Sequence, residues 1–143
     1  MALQSWYSLG MKAVLRKFES TRPFREEEAW LLFKIAAWAE AFGWTMLIFG
    51  ILSQRLFLHS NIPVLITGQL HGTIFLAYIV AALGLYPSLG WPRRRALAAA
   101  LASVPPYGSL FFEQWAAHQR QRGKIRAHSR LVLYRRLIEP AFS

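Results

Sequence analysis

Two stretches of 23 residues, Trp30–Leu52 and Val64–Tyr86, are almost wholly apolar, and only short connections flank them. As helices they would be about 34 Å long at 1.5 Å per residue, enough to cross a bilayer core with some tilt. The apolar residues are clumped into runs instead of being spaced at helical or strand periodicity, and the basic residues lie between the runs. In lipid every backbone polar group must be paired within the protein, which leaves helices as the spanning element for a chain patterned like this. The expected class is therefore all-α: an integral membrane bundle of three hydrophobic helices with amphipathic helices at the N- and C-terminal ends.

The third apolar run, Ala96–Phe112, is shorter and contains Pro105, Pro106 and Gly108. These residues must kink or break a helix. The run's length favours a third, bent span; the competing reading is a re-entrant segment that returns to the side it entered from. Three regions follow: a basic amphipathic segment 1–28, a membrane domain 29–115 with spans near 30–52, 64–86 and 96–112, and a basic amphipathic tail 116–143. In the first, Leu3, Tyr7, Met11, Val14 and Phe18 recur at steps of three and four, suiting either an interfacial helix or a cap on the bundle. Ser20 or Thr21 is expected to cap the next helix, with Pro23 in its first turn and Glu26–Glu28 at its positive dipole end. The tail, expected to break near Gly123, has Ile125, Leu131, Val132, Tyr134 and Ile138 as its apolar face. The first 28 residues lack the uninterrupted apolar core of a secretory signal and are expected to be retained.

The net charge of +10 comes from 17 Lys and Arg against seven Glu. Basic clusters can bind nucleic acid, but no helix-turn-helix, zinc-finger or stacking signature accompanies these, so anionic lipid is the expected partner at the flanks. There is no cysteine, which excludes disulfides and thiolate metal sites. Basic loops face the cytoplasm by rule. The N-terminal segment carries five basic residues and the second connection Arg93, Arg94 and Arg95, while the first connection has only Arg55. The N-terminus is therefore expected to be cytoplasmic. Three full spans would put the seven basic residues of the tail outside, against the rule; a re-entrant third run would bring every basic cluster to one side.

Lys34, about one turn into the first span, can snorkel to the headgroups beside Trp30. Glu40 lies about 15 Å deep, where a carboxyl needs a partner or a proton. It sits on a seam of Ala36, Glu40, Gly43, Leu47 and Gly50, whose small residues permit close helix approach. The second span offers Gly68, His71, Phe75 and Tyr78, with Gly68 and Gly72 forming a GxxxG pair. Antiparallel packing brings Glu40 within one or two turns of His71 and Tyr78, so Glu40 is expected to pair with either or both. The candidate intramembrane cluster is Glu40, Gln69, His71 and Tyr78; the candidate packing glycines are Gly43, Gly50, Gly68 and Gly72. The cluster serves either as polar glue or as a proton, ion or small-ligand site. Only one histidine lies inside a span, so no haem, metal or other cofactor is expected. Ser103 and Ser109 show no sign of activation.

Three segments carry a family resemblance: Glu40 with Gly43, "GQLHGTIFLAY" at Gly68–Tyr78, and "ASVPPYGSLFFE" at Ala102–Glu113. From about Phe33 to Phe112 the chain resembles the small bacterial integral membrane proteins with an "HG" motif, grouped as domain of unknown function 3817 and including YdzA-like proteins. The resemblance implies a bundle of three hydrophobic segments in the bacterial inner membrane, and it carries over no catalytic residue, because the family has no established activity. The long basic extensions depart from the family's pattern. The expected function is that of a non-enzymatic subunit or stabiliser in a membrane assembly, as a homo-oligomer or within a larger complex. The alternative is a minimal proton, ion or solute carrier or channel built on Glu40 and His71.

Overall fold

The three apolar runs become two long helices and a helical hairpin. The structure, a computed structural model, describes residues 2–138, and the side chains of all of these except residues 2–4, 58 and 131–138. The elements are α1 (Ala2–Thr21), α2 (Glu26–Ser53) with a π-helical turn at Gln54–Leu58, α3 (Ile62–Leu85), α4 (Arg93–Leu101) and α5 (Gly108–Ile138). No strand occurs among the described residues.

Helices α2 and α3 form an antiparallel pair that carries the largest share of the packing between elements. The helical stretches Glu26–Phe57 and Ile62–Leu85 are each long and apolar enough to cross a membrane. Only 28% of the most apolar part of the first is buried inside the chain, and 6% of the second. A core helix of a water-soluble domain would show the opposite, because its apolar face is what the fold covers.

The start of α2 differs from the expectation. Ser20 and Thr21 do not cap it. Their hydroxyls turn back onto the Lys17 carbonyl, at 2.8 and 2.6 Å, inside the last turn of α1. Such back-bonding competes with capping for Ser and Thr. Arg22 then takes a left-handed φ of 34°, ending α1, and Pro23 lies in the connection. The first turn of α2 holds Glu26–Glu28, and the Arg25 N–H donates to Glu28 Oε2 at 3.2 Å.

The expected single span over 96–112 is replaced by two helices. Helix α4 ends at Leu101, and residues 102–107 reverse the chain, with Tyr107 at a φ of 62°. The turn is tight: a Cβ on Gly108 would lie 2.8 Å from Pro105 Cγ and collide with the Ala102 carbonyl, so the fold needs glycine there. Pro105, Pro106 and Gly108 thus act as a break, the stronger of the two effects expected of them. Helix α5 then continues through Gly123 without interruption.

Contacts with α2 fix the direction of this hairpin. Arg93, at the start of α4, pairs with Glu19 in the last turns of α1, on the approach to α2. Higher up, the Trp44 indole N–H donates to the Ser103 carbonyl at 3.3 Å, and Thr45 Oγ1 lies 3.0 Å from the Tyr107 hydroxyl. On the way back Ser109 meets Ala37 and Glu40, and Arg120 pairs with Glu26 and Glu27. The hairpin therefore enters and leaves at the same end of the α2–α3 pair. Its tip, level with Thr45, stops about 20 Å short of the end of the π-helical turn at 1.5 Å per residue.

An aromatic cluster anchors the hairpin's base. Trp91 meets Phe33 edge-on at 5.1 Å between ring centroids, Trp30 at 5.7 Å and Phe112 at 5.7 Å. The turn Tyr86–Trp91 that delivers Trp91 contains Gly90 at a φ of 67°. Of the expected apolar faces, Tyr7, Met11 and Val14 of α1 are exposed and Phe18 packs on Tyr86. Ile125 is exposed. The side chains of Leu3, Leu131, Val132, Tyr134 and Ile138 lie outside the described residues.

Candidate functional site

The polar residues at mid-depth are brought together by three parts of the chain. Helix α2 presents Glu40, Gly43 and Trp44 on one stripe, since steps of three and four return to the same face. Helix α3 presents His71. The hairpin contributes Ser103 and Ser109 from the two sides of its reversal.

Glu40 and Ser109 are both fully buried, at 0% exposure. The Ser109 hydroxyl donates to Glu40 Oε2 and also lies 3.3 Å from the Ala37 carbonyl. His71 stacks beside Trp44, with ring centroids 4.7 Å apart, and beside Phe75 at 6.4 Å. Its Nδ1 points at the α2 backbone: a Cβ on Gly43 would lie 2.8 Å from it. Glycine at 43 is therefore what admits the imidazole. Glu40 precedes Gly43 by one helical turn, so the carboxyl and the imidazole are neighbours along the seam. Two buried polar atoms, Glu40 Oε1 and His71 Nδ1, have no hydrogen-bond partner. Each such orphan costs about 1–3 kcal/mol.

The expected pairing of Glu40 with His71 or Tyr78 is not formed. Tyr78 is buried, but its hydroxyl donates to the Ala99 carbonyl of α4 at 2.9 Å. Its phenol meets the hairpin's inward leg before it can reach the carboxyl. Gln69 does not belong to the cluster. It lies two residues before His71, about 200° away on the helix, and is exposed on the opposite face. Of the glycines, Gly43 and Gly50 make the close approaches; a Cβ on Gly50 would lie 3.1 Å from the Pro63 carbonyl and collide with Thr67. Gly68 has only Leu47 Cδ1 near it, at 3.9 Å, and Gly72 has nothing within 4 Å. The GxxxG pair thus plays no part in α2–α3 packing. The small residues that matter are on α2, opposite the larger Thr67 and His71.

Ser109, Ser103 and Trp44 are the members that sequence reasoning missed. A faint signal existed: Ser109 and Glu113 stand one turn apart in an otherwise aromatic helix start, so that face had to meet polar groups. Among the described residues no three His, Asp or Glu side chains gather as metal ligands.

Residues 30–118 match the family described as "Domain of unknown function (DUF3817)". The chain belongs to that family. Every member of the mid-depth cluster falls within the matched region, whereas α1 and most of the tail fall outside it. No curated protein and no solved structure matches this DUF3817 chain.

Proposed function

We propose that the chain is a non-catalytic membrane subunit: two spans, α2 and α3, and a re-entrant hairpin, α4–α5, docked against them from the basic side. Every basic cluster with a described position then lies on one side, the arrangement favoured for cytoplasmic segments. Placement is tested by single cysteines in this cysteine-free chain. A cysteine at Ser60 should label from outside intact cells, and cysteines at Ser8 and Ser129 should be protected. Outside labelling at Ser129 would overturn the re-entrant arrangement.

The observation that carries the subunit reading is Gln69. It sits about 10 Å from the start of α3, on the face turned away from α2. Its backbone carbonyl accepts from Thr73 at 3.0 Å, but its side-chain amide has no partner among the described residues. An amide facing hydrocarbon is costly, and a neighbouring helix satisfies it. Thr73, Ala77 and Gly84 lie on the same outward side, small enough for a second helix to approach. Oxidation of Thr73→Cys in membranes should give a crosslinked species, and Leu70→Cys, about 60° around the helix from it, should give less. Monomer alone in both would overturn the reading.

A second reading is favoured by the orphaned Glu40 Oε1 and His71 Nδ1, adjacent at mid-depth. Ionisable groups inside a membrane mark proton or ion paths more often than chance. Here one proton on either group would convert an unpaired acceptor into a donor. Proton flux into liposomes that is lost in Glu40→Gln would support it, and the absence of flux in the wild type would end it.

A further inference from the structure

A second polar site lies between α2 and α5, one turn nearer the basic end than Ser109. It is a cleft of about 340 Å³ whose lining includes Lys34, Trp38, Glu113, Gln114, His118 and Gln121. The size is at the lower end for small-ligand sites. Two of its residues are unusual together. Glu113 is only 5% exposed, on the α5 stripe that runs Ser109, Glu113, Ala116, Arg120 toward α2. Lys34 is exposed at the opposite lip. Among the described residues neither takes part in an ion pair or a side-chain hydrogen bond, although every other glutamate near α2's start does so or is in solvent. Its carboxyl oxygens are not among the sealed, unpaired polar atoms, so the Glu113 carboxylate opens onto the cleft, and the cation across the same cleft fails to reach it. What fits between them is a group with a positive end for Glu113 and a negative end for Lys34.

We propose that this cleft binds the headgroup of an aminophospholipid, its primary ammonium on Glu113 and its phosphodiester on Lys34. His118, Gln114 and Gln121 line the rest of the wall as further hydrogen-bonding groups for the headgroup. A lipid fits better than a soluble phosphoamine because the cleft opens onto an apolar track. Leu31, Ile35, Trp38 (53% exposed) and Phe42 follow one another up the same side of α2 toward mid-depth, and all are exposed. An acyl chain leaving the headgroup would lie along them. The chemistry discriminates among lipids. A quaternary choline has no N–H for the carboxylate, and an anionic glycerol headgroup offers no cation to it and is repelled. The proposal rests on the membrane placement above, with the cleft at the depth of the basic-side headgroups.

The test is native mass spectrometry of the full chain, released from detergent with dioleoyl phosphatidylethanolamine, phosphatidylcholine or phosphatidylglycerol added. The wild type should retain the ethanolamine lipid over the choline lipid by about tenfold, a charge-assisted hydrogen bond's worth. Glu113→Gln, nearly isosteric, should bring that ratio to about one while leaving the choline lipid bound as before. Lys34→Gln, at an exposed position without an ion pair or side-chain hydrogen bond among the described residues, should weaken both. Soluble phosphoethanolamine, titrated by calorimetry, should bind far more weakly than the lipid; equal binding would reassign the cleft to a soluble ligand and overturn the lipid proposal. An unchanged lipid ratio in Glu113→Gln, in protein that still fractionates with membranes, would overturn it while leaving the membrane placement intact. A wild-type chain found in the soluble fraction would overturn both.

Discussion

The chain handles charge in two ways at two heights. At the basic end, Arg93 grips Glu19, Arg120 reaches Glu26 and Glu27 while its guanidinium lies 5.0 Å above the Trp30 ring, and Lys124 adds a second contact to Glu27 at 3.5 Å. Glu26, Glu27, Arg93 and Lys124 are exposed and Glu19 and Arg120 partly so, and water would solvate any one of them if its partner were removed. Such pairs fix position more than they stabilise. At mid-depth there are only a few polar side chains, they are buried, and two of their atoms are unpaired. The lesson is about reference states. The many interactions at the end are replaceable by solvent, and the few in the middle are not, so sensitivity to mutation should rise as the number of contacts falls.

The largest effect should come from Gly43→Leu. Its side chain would occupy the space held by the His71 ring and force α2 and α3 apart, at a cost of about 3 kcal/mol. Gly72→Leu, with open space beside it, should be tolerated in the isolated chain. Thermal unfolding in detergent separates the two. Equal loss in both would mean that the α2–α3 contact does not depend on the small residues of α2.

Next comes an asymmetry within the Glu40–Ser109 pair. Ser109→Ala leaves a second carboxyl oxygen of Glu40 unpaired in a buried site and should cost about 1–3 kcal/mol. Glu40→Leu removes the costly group, and the Ser109 hydroxyl still has the Ala37 carbonyl at 3.3 Å. It should therefore cost less than Ser109→Ala, and adding it to Ser109→Ala should recover part of the loss. A double-mutant cycle showing additive losses would remove the pair as the centre of the cluster.

How much of this could be read from sequence depends on the range of the contact that decides each feature. The two helices long and apolar enough to cross a membrane are written locally, in stretches of 23 almost wholly apolar residues. So is the seam carrying Glu40 and His71, because helical angles follow from spacing alone. Gln69 obeys the same arithmetic: it is near His71 along the chain, but about 200° of helix separates the two. Ser109 and the sense of the hairpin depend on contacts between residues 59 to 72 positions apart, Trp44 with Ser103 and Ala37 with Ser109. Two prolines and a glycine announce a break there, but not which way the chain leaves it. The charge pattern held that answer in part, since only a returning hairpin gathers the basic clusters at one end.

Arg120→Gln should be milder than either change at mid-depth. It gives up contacts to two exposed carboxylates and the face of Trp30, and the difference from wild type should shrink as salt is raised. A loss as large as that of Ser109→Ala, insensitive to salt, would break the contrast between the two heights.

The smallest effect should be at Glu19, and it should depend on pH. The hydrogen bond and charge of Arg93 hold the Glu19 carboxyl below the ordinary glutamate value of 4.5. A carboxyl lowered in the folded state contributes fully above its unfolded value and loses that contribution as pH falls through the lowered one. The clasp between α1 and the start of α4 should thus be intact at neutral pH and open only in acid below the usual glutamate range. Tyr86, whose hydroxyl donates to Glu19 Oε1 at 3.0 Å, should be released in the same step. Spin labels at Ser8 and Arg94 should show one narrow distance distribution at pH 7 that broadens in acid, and Glu19→Gln should broaden it at every pH. The α2–α3 pair should not respond over that range, because Glu19 touches neither helix's seam. If acid instead loosened α2 from α3 while the clasp held, the replaceable and irreplaceable contacts would have been assigned to the wrong ends of the molecule.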